Sequence, residues 1–333
     1  MMSRATEIKT YSYSGPLREA IEKFIAEKRG MELQYNSESE RLASFDRFSI
    51  KFGCVTNVLS KEVVEAWITR RPNQVANTQK LRVTIMRQLG DFLQRCGYEA
   101  YIAPKDMVKK PATNYVPYIF SDDEIARIFK QADLLKPSPQ SPIGHIVIPL
   151  LLRMLYYCGL RVSEARYLKV KDVDLENGIL TIQGTKFDKD RLVPMSPFIT
   201  EQCRIYSDKV HKFSDAEAFY FPNARNNIYG MSQIYDVFRK ILWKAGISHG
   251  GVGKGPRIHD LRHAFCIHCL RRWVQDGVDI TAALPYLSAY LGHAGLEGTQ
   301  QYLRLTADLF PSITASLEKS VGNVVPAIGG DVK

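Results

Sequence analysis

The run His259-Asp260-Leu261-Arg262-His263 brings proton-exchanging and fixed-charge side chains together. On a helix, residues three apart share a face, so the His259 imidazole and the Arg262 guanidinium can converge on one anion. His259 and His263 also stand at the four-residue spacing of a zinc helix. A metalloprotease HExxH, however, needs glutamate after the first histidine, and Asp260 occupies that place. Cys266 and Cys269 form a CxxC with no second pair, and at that spacing on an apolar helix they read as core thiols. Further candidates are scattered. Cys158-Gly159-Leu160-Arg161-Val162-Ser163-Glu164 sets an arginine after a helix-ending glycine, and Gly184-Thr185-Lys186 precedes Arg191-Leu192-Val193-Pro194 across a hairpin. Leu291-Gly292-His293 is followed nine residues later by Tyr302. Each has a plain reading when taken alone. Arg161 caps a helix, Lys186 is an exposed hairpin lysine with Lys189 as rival, His293 is a satisfied loop histidine, and Tyr302 is one of 17 tyrosines in a core or interface.

The elements that must position these groups follow from periodicity. A chain of 333 residues is long enough for two domains, and its net charge of +10 suits a polyanionic partner. With 45% hydrophobic and 24% charged residues, wholesale disorder is excluded. No apolar run has membrane-spanning length, the start lacks a signal-peptide core, and six scattered cysteines make no disulfide scaffold. The expectation is a cytoplasmic protein with reduced thiols and no membrane partner. Residues 1–15 read as a flexible N-terminus. Helical spacing in 16–103 groups Leu17, Ile21, Phe24 and Ile25; Leu42, Phe45, Phe48 and Phe52; Val63, Val64, Trp67 and Ile68; and Leu81, Ile85, Leu89, Phe92 and Leu93. The last of these helices sets Lys80, Arg82, Arg87 and Arg95 away from most of its apolar stripe, as a solvated face or as phosphate contacts. Residues 104–116, with Pro104, Lys105, Lys109, Lys110 and Pro111, read as an extended basic linker. The second domain, 117–322, opens on a capping box at Ser121 and Glu124, followed by helices over 144–158 and 163–168. Asn177-Gly178 precedes two short strands, 179–182 and 191–194, before helices resume and a flexible tail follows at 323–333. The fold class expected is mainly α with a small antiparallel β-sheet.

The ordered set GLRxSE, GTK…RxVP, HxxRH, LGH and a tyrosine nine residues on resembles the tyrosine recombinase (phage integrase) family. The motifs cover about residues 159–302, and five in this order are specific. The resemblance implies a helical core-binding domain over 16–103 and a catalytic domain over 117–322. It implies a site-specific DNA recombinase that cleaves and rejoins strands through a covalent 3′-phosphotyrosyl link, with no cofactor and no metal. Its partners would be double-stranded recombination sites and three further copies of the chain in a tetramer at the nucleoid. Carried over by position, Arg161 and Arg262 are the pair on the scissile phosphate, a bidentate task lysine cannot copy. Tyr302 is the nucleophile, and its phenol, with a pKa near 10 when free, needs help to lose its proton. His259 is assigned as the acceptor, His293 as a phosphate hydrogen-bond donor, Lys186 as proton donor to the leaving 5′ oxygen, and Glu164 as a supporting brace. Lys80, Arg82, Arg87, Lys105, Lys109 and Lys110 are the expected DNA contacts.

The sequence also departs from the family pattern. Gly298-Thr299 stands where two threonines are common, and no histidine follows Tyr302 by two. The interval from Arg262 to His293 is 31 residues, which marks 271–287 as an insertion. Leu309, Phe310, Ile313 and Leu317 place apolar groups on one side of a final helix, docked either on its own domain or on a neighbouring copy. Integration, excision, transposition and dimer resolution share this chemistry. A type IB topoisomerase-like relaxing enzyme shares it too, whereas a non-catalytic regulator would have lost a polar site residue and a metal hydrolase would fail in chelator.

Overall fold

A computed structural model of the chain describes residues 8–72, 74, 76–108, 117–183, 190–248, 250–251, 255–293, 295, 299 and 302. The chain divides into two compact units between Tyr115 and Val116.

The first unit is built of α1 (Arg18–Gly30), α2 (Asn36–Phe52), α3 (Lys61–Ile68) and α4 (Ala76–Arg95). Their apolar stripes meet in a core that includes Phe24, Phe45, Trp67, Leu89 and Phe92. Each such side chain taken from water stabilises the unit by roughly 1.5–3 kcal/mol. Ser60 caps α3 by accepting the Val63 amide hydrogen, and Gly53, in the left-handed region, ends α2.

Three expectations need correction here. Residues 8–15 are not a frayed end: Tyr13 is buried with its hydroxyl donated to the Ser39 carbonyl, and the Ser14 and Gly15 amides donate to the Asp46 carboxylate. The start of the basic linker also packs down, with Ala103 buried and Met107 and Val108 against the same core. The α4 stripe is turned from the expected one. Val83 and Met86 are buried, whereas Leu81 is 39% exposed.

In the second unit α6 (Gly144–Tyr157) is the central helix, preceded by α5 (Asp122–Asp133) and followed by α7 (Val162–Tyr167). The α5 start is the expected capping box: Ser121 Oγ accepts the Glu124 amide hydrogen and Glu124 accepts that of Ser121. A three-stranded antiparallel sheet follows in the order β1 (Val173–Asp174), β2 (Ile179–Ile182), β3 (Arg191–Pro194). Leu180 pairs with Val173 on one side and Val193 on the other, and Gly178 turns the chain with positive φ. The two-residue β1 is too short to announce itself by alternation. Helices α8 (Pro197–Val210), α9 (Met231–Lys244), α10 (Asp260–Gln275) and α11 (Ile280–Leu291) complete the unit. Helix α6 packs against α5, α8 and α10, while α11 lies against α10 and β3. The segment marked as an insertion is the last five residues of α10, a turn at Gly277 and most of α11. Leu270, Ile280, Leu284, Leu287 and Leu291 form a small core with Tyr302. Among the described residues no helix is long and apolar enough to cross a membrane. The final-helix residues Leu309, Phe310, Ile313 and Leu317, and the tail, lie outside the described residues.

Candidate active site

Three backbone features gather the scattered motifs. First, α6 ends at Cys158, and Gly159 reverses the chain with φ +57 so that Arg161 becomes the N-cap of α7. A Cβ on Gly159 would stand 2.7 Å from the Phe265 ring, so both conformation and space call for glycine. Second, α10 begins at Asp260, placing His259 at its cap and Arg262 and His263 in its first turn. Third, α11 ends at Gly292 in the left-handed conformation, which turns its last carbonyls toward the arginines.

Arg262, only 1% exposed, donates from its two terminal nitrogens to the carbonyls of Gly159 and Leu291, each at 2.6 Å. Arg161 donates to the Gly292 carbonyl at 2.9 Å and to Glu164 Oε1 at 2.7 Å. Both arginines are therefore tied to the end of α11. Glu164 also accepts the Arg161 backbone amide hydrogen at 2.8 Å and a two-pronged pair from Arg191 at 2.9 and 2.8 Å. Arg191 donates from Nε to the Tyr290 carbonyl. Arg191 was visible in the sequence only as the first residue of a return strand. A buried acid three residues after an arginine was the available hint that a second cation must approach it.

Tyr302, 5% exposed, is in hydrogen-bond contact with His263, its Oη 2.7 Å from Nδ1. Its ring lies nearly parallel to that of His293, centroids 6.1 Å apart, while His259 and His263 meet edge to face at 4.8 Å. His293 Nδ1 is held by the Thr299 hydroxyl at 2.8 Å. Burial pushes the Tyr302 phenol upward, as does Cys266, against the lowering pull of Arg262 and Arg161. The phenol is thus within electrostatic reach of both guanidinium groups of its own chain. Burial, then Arg262 and Arg161, pull His259 down to about 4. Burial, then His259, Arg262 and His293, bring His263 down to about 3. Burial and the three arginines lower His293 to about 4. All three imidazoles are neutral near pH 7. Burial also brings Arg262 down to about 10, with Arg161 adding to the effect and Glu164 opposing it. Burial would raise the Glu164 carboxyl, but Arg191, the Arg161 amide and Arg262 outweigh it and hold it at about 2. The site is a cationic pocket with neutral proton acceptors, suited to an anion on which charge builds.

Of the sequence-derived site residues, Arg161, His259, Arg262, His293, Tyr302 and Glu164 come together here. Lys186 and its rival Lys189 lie outside the described residues, as do Lys109 and Lys110. The side chains missed are Arg191 and His263. His263 sat in plain view beside Arg262 as the last residue of HxxRH, but only its zinc spacing was given a role. Among the described residues no three His, Cys, Asp or Glu side chains group as metal ligands. Burial pushes the Cys266 thiol up to about 12 and Cys269 up to about 11.

In the first unit, Lys80, Arg87 and Lys105 line one hollow of about 140 Å³ with Val83, Thr84 and Val108. Arg82 does not share it. Arg82 is 9% exposed, its guanidinium 4.7 Å over the Trp67 ring and donating to the Trp67 carbonyl. The face assigned to it is corrected accordingly, because the turned α4 stripe carries Arg82 into the α3–α4 seam.

Residues 120–308 match the family model described as the phage integrase family. A putative integrase/recombinase, y4rB, of Sinorhizobium fredii is 28% identical over 91% of this chain and 97% of its own length. The tyrosine recombinase XerA of Pyrococcus furiosus is 35% identical over 58% of this chain and 59% of its own. Among solved structures, the Tn1549 transposon integrase in complex with a circular intermediate DNA has a TM-score of 0.59 at 17% identity, covering 85% of this chain and 94% of that one. The lambda integrase bound to DNA has a TM-score of 0.56 at 15% identity, covering 84% and 92%. The match to the family model spans more than half of the sequence and takes in every motif residue from Arg161 to Tyr302, so this chain belongs to the phage integrase family, the tyrosine recombinases, whose members are DNA strand-transferring enzymes.

Proposed function

We propose that this chain is a site-specific DNA recombinase that breaks and rejoins DNA through a covalent 3′-phosphotyrosyl intermediate. What carries this reading is the approach of Tyr302 to the His263 and His293 imidazoles, with His259 packed against His263, while the charges of Arg161 and Arg262 act on its phenol. In the proposed step Tyr302 Oη attacks phosphorus, Arg161 and Arg262 hold the non-bridging oxygens, and His259 and His293 hydrogen-bond the phosphate. Lys186 gives a proton to the departing 5′ oxygen. One phosphodiester is replaced by another, so bond energy is kept for resealing by a 5′-hydroxyl from a second strand. Glu164 serves as a positioning residue, fixing Arg161 through both its backbone and its guanidinium.

The hollow lined by Lys80, Arg87 and Lys105 is the proposed phosphate-tracking face of the first unit, and Lys109 and Lys110, next in sequence, are further proposed DNA contacts. Four copies exchanging strands pairwise are the proposed assembly. Movement of a mobile element by integration, excision or transposition is the favoured role. Its support is the integrase/recombinase name of a relative alike over nearly its full length and the shared fold of a transposon integrase. Dimer resolution, the alternative, uses the same chemistry.

The test is a nicked suicide duplex carrying a site selected by binding from a randomised pool. Wild-type protein traps a covalent adduct that peptide mapping places on Tyr302. Tyr302→Phe binds the same duplex with unchanged affinity and traps none. An adduct that persists in Tyr302→Phe rules the nucleophile out.

A further inference from the structure

Sequence reasoning hands the Tyr302 proton to His259, but the imidazole hydrogen-bonded to the phenol is that of His263, Nδ1 to Oη at 2.7 Å. Its place follows from the helix. His263 directly follows Arg262 in the first turn of α10, so the residue that anchors the pocket and the one that meets the phenol are fixed by the same hydrogen-bonded turn. We propose that His263 is the general base of strand cleavage, its Nδ1 receiving the Tyr302 proton as Oη attacks phosphorus. This role presupposes Tyr302 as the nucleophile.

The electron and proton count closes. The phenolic O–H bond breaks and an Oη pair forms the bond to phosphorus, while the proton joins the Nδ1 lone pair and makes an imidazolium. The phosphorus–O5′ bond breaks, its pair leaves with O5′, and that oxygen takes a proton from Lys186. Resealing runs the same path backwards, and His263 returns its proton to Oη.

The surroundings suit the task. The groups facing His263 are His259, Arg262 and His293, together with Tyr302 and Asp260, whose Oδ1 lies 3.9 Å from Nε2. The proposed step uses the neutral tautomer with its proton on Nε2, on the Asp260 side, so that the phenol O–H donates to Nδ1. That carboxylate favours the imidazolium as it forms. Burial first, then His259, Arg262 and His293, hold His263 down to about 3 in the free protein, which makes it a reluctant base. A DNA phosphate seated on Arg262 offsets the share of that depression due to its guanidinium at the moment the proton must move. Proton transfer is thereby tied to an occupied pocket.

Single-turnover adduct formation by the full chain on the selected suicide duplex separates the outcomes. His263→Asn keeps an acceptor oxygen near the Nδ1 position but cannot carry a proton away. It is expected to bind DNA and melt like wild type while forming adduct about 10²–10⁴-fold more slowly, with a rate that climbs with pH where wild type is level. A 5′-bridging sulfur, which departs without protonation, is expected to leave that defect in place. His263→Gln provides the same readout should the asparagine variant melt early. A wild-type rate and pH profile in a folded variant reduces His263 to an orienting contact and overturns the proposal, as does full rescue by the bridging sulfur. If the wild-type adduct maps to a residue other than Tyr302, the parent reading fails first and this one with it.

Discussion

Replacing Glu164 by glutamine isolates what one buried carboxylate does for three guanidinium groups. Its side chain is 8% exposed, bonds Arg161 and Arg191, and lies 3.8 Å from Arg262. Holding the carboxyl at about 2 against an ordinary 4.5 corresponds to roughly 3 kcal/mol of preference for the charged form at neutral pH. Breaking one side of a buried ion pair costs about 3–5 kcal/mol, so the two routes agree. Glutamine keeps an acceptor oxygen, so Glu164→Gln is expected to destabilise the second unit by about 2–4 kcal/mol near neutral pH. The sign is fixed because the folded value lies below the unfolded one. The contribution is complete above about 4.5 and is lost as pH falls toward about 2. Wild type and variant should therefore converge below about pH 4.5 and run parallel above about pH 5.5. Urea-dependent hydrogen exchange of α6 and α10 peptides measures this within the second unit alone. A difference under about 1 kcal/mol, or one that does not shrink on acidification, would show that Glu164 does not hold the arginines electrostatically.

Two other substitutions test the packing described. Arg82→Met should cost the first unit about 1–2 kcal/mol through the lost Trp67 contact and leave the salt dependence of DNA binding unchanged. Lys80→Ala, Arg87→Ala and Lys105→Ala should each lower the log–log salt slope by about 1 at constant melting temperature, and the reverse pattern would restore Arg82 to the DNA face. Gly159→Ala should cost about 2–4 kcal/mol, from positive φ and the Phe265 ring together. A double-mutant cycle with Phe265→Ala should recover part of that loss, and strict additivity would exclude the steric half.

Periodicity exposed most elements, because a stripe of apolar residues reports the buried face of a helix whatever it packs against. The Ser121 capping box and the Asn177-Gly178 turn were equally legible, since both are local. Arg82 was misread because helical spacing cannot say whether a long cation at the stripe's margin stretches to water or folds onto an indole. In the site, residue type and order singled out Arg161, Arg262 and Tyr302 as candidates. They could not reveal that both arginines seek main-chain carbonyls at the end of α11, since a backbone acceptor leaves no mark on composition. Arg191 and His263 escaped for a related reason. Their importance lies in which neighbour they touch, Glu164 and Tyr302, across separations of 27 and 39 residues.

Arg161 and Arg262 both grip the final turn of α11 and neither leans on the turn between α10 and α11. Residues around Gly277 can therefore be lengthened or shortened like a cable behind a fixed mooring, with the chemistry undisturbed so long as Leu291 and Gly292 arrive in place. A tag or sensor spliced at that bend would leave both of those anchors in place.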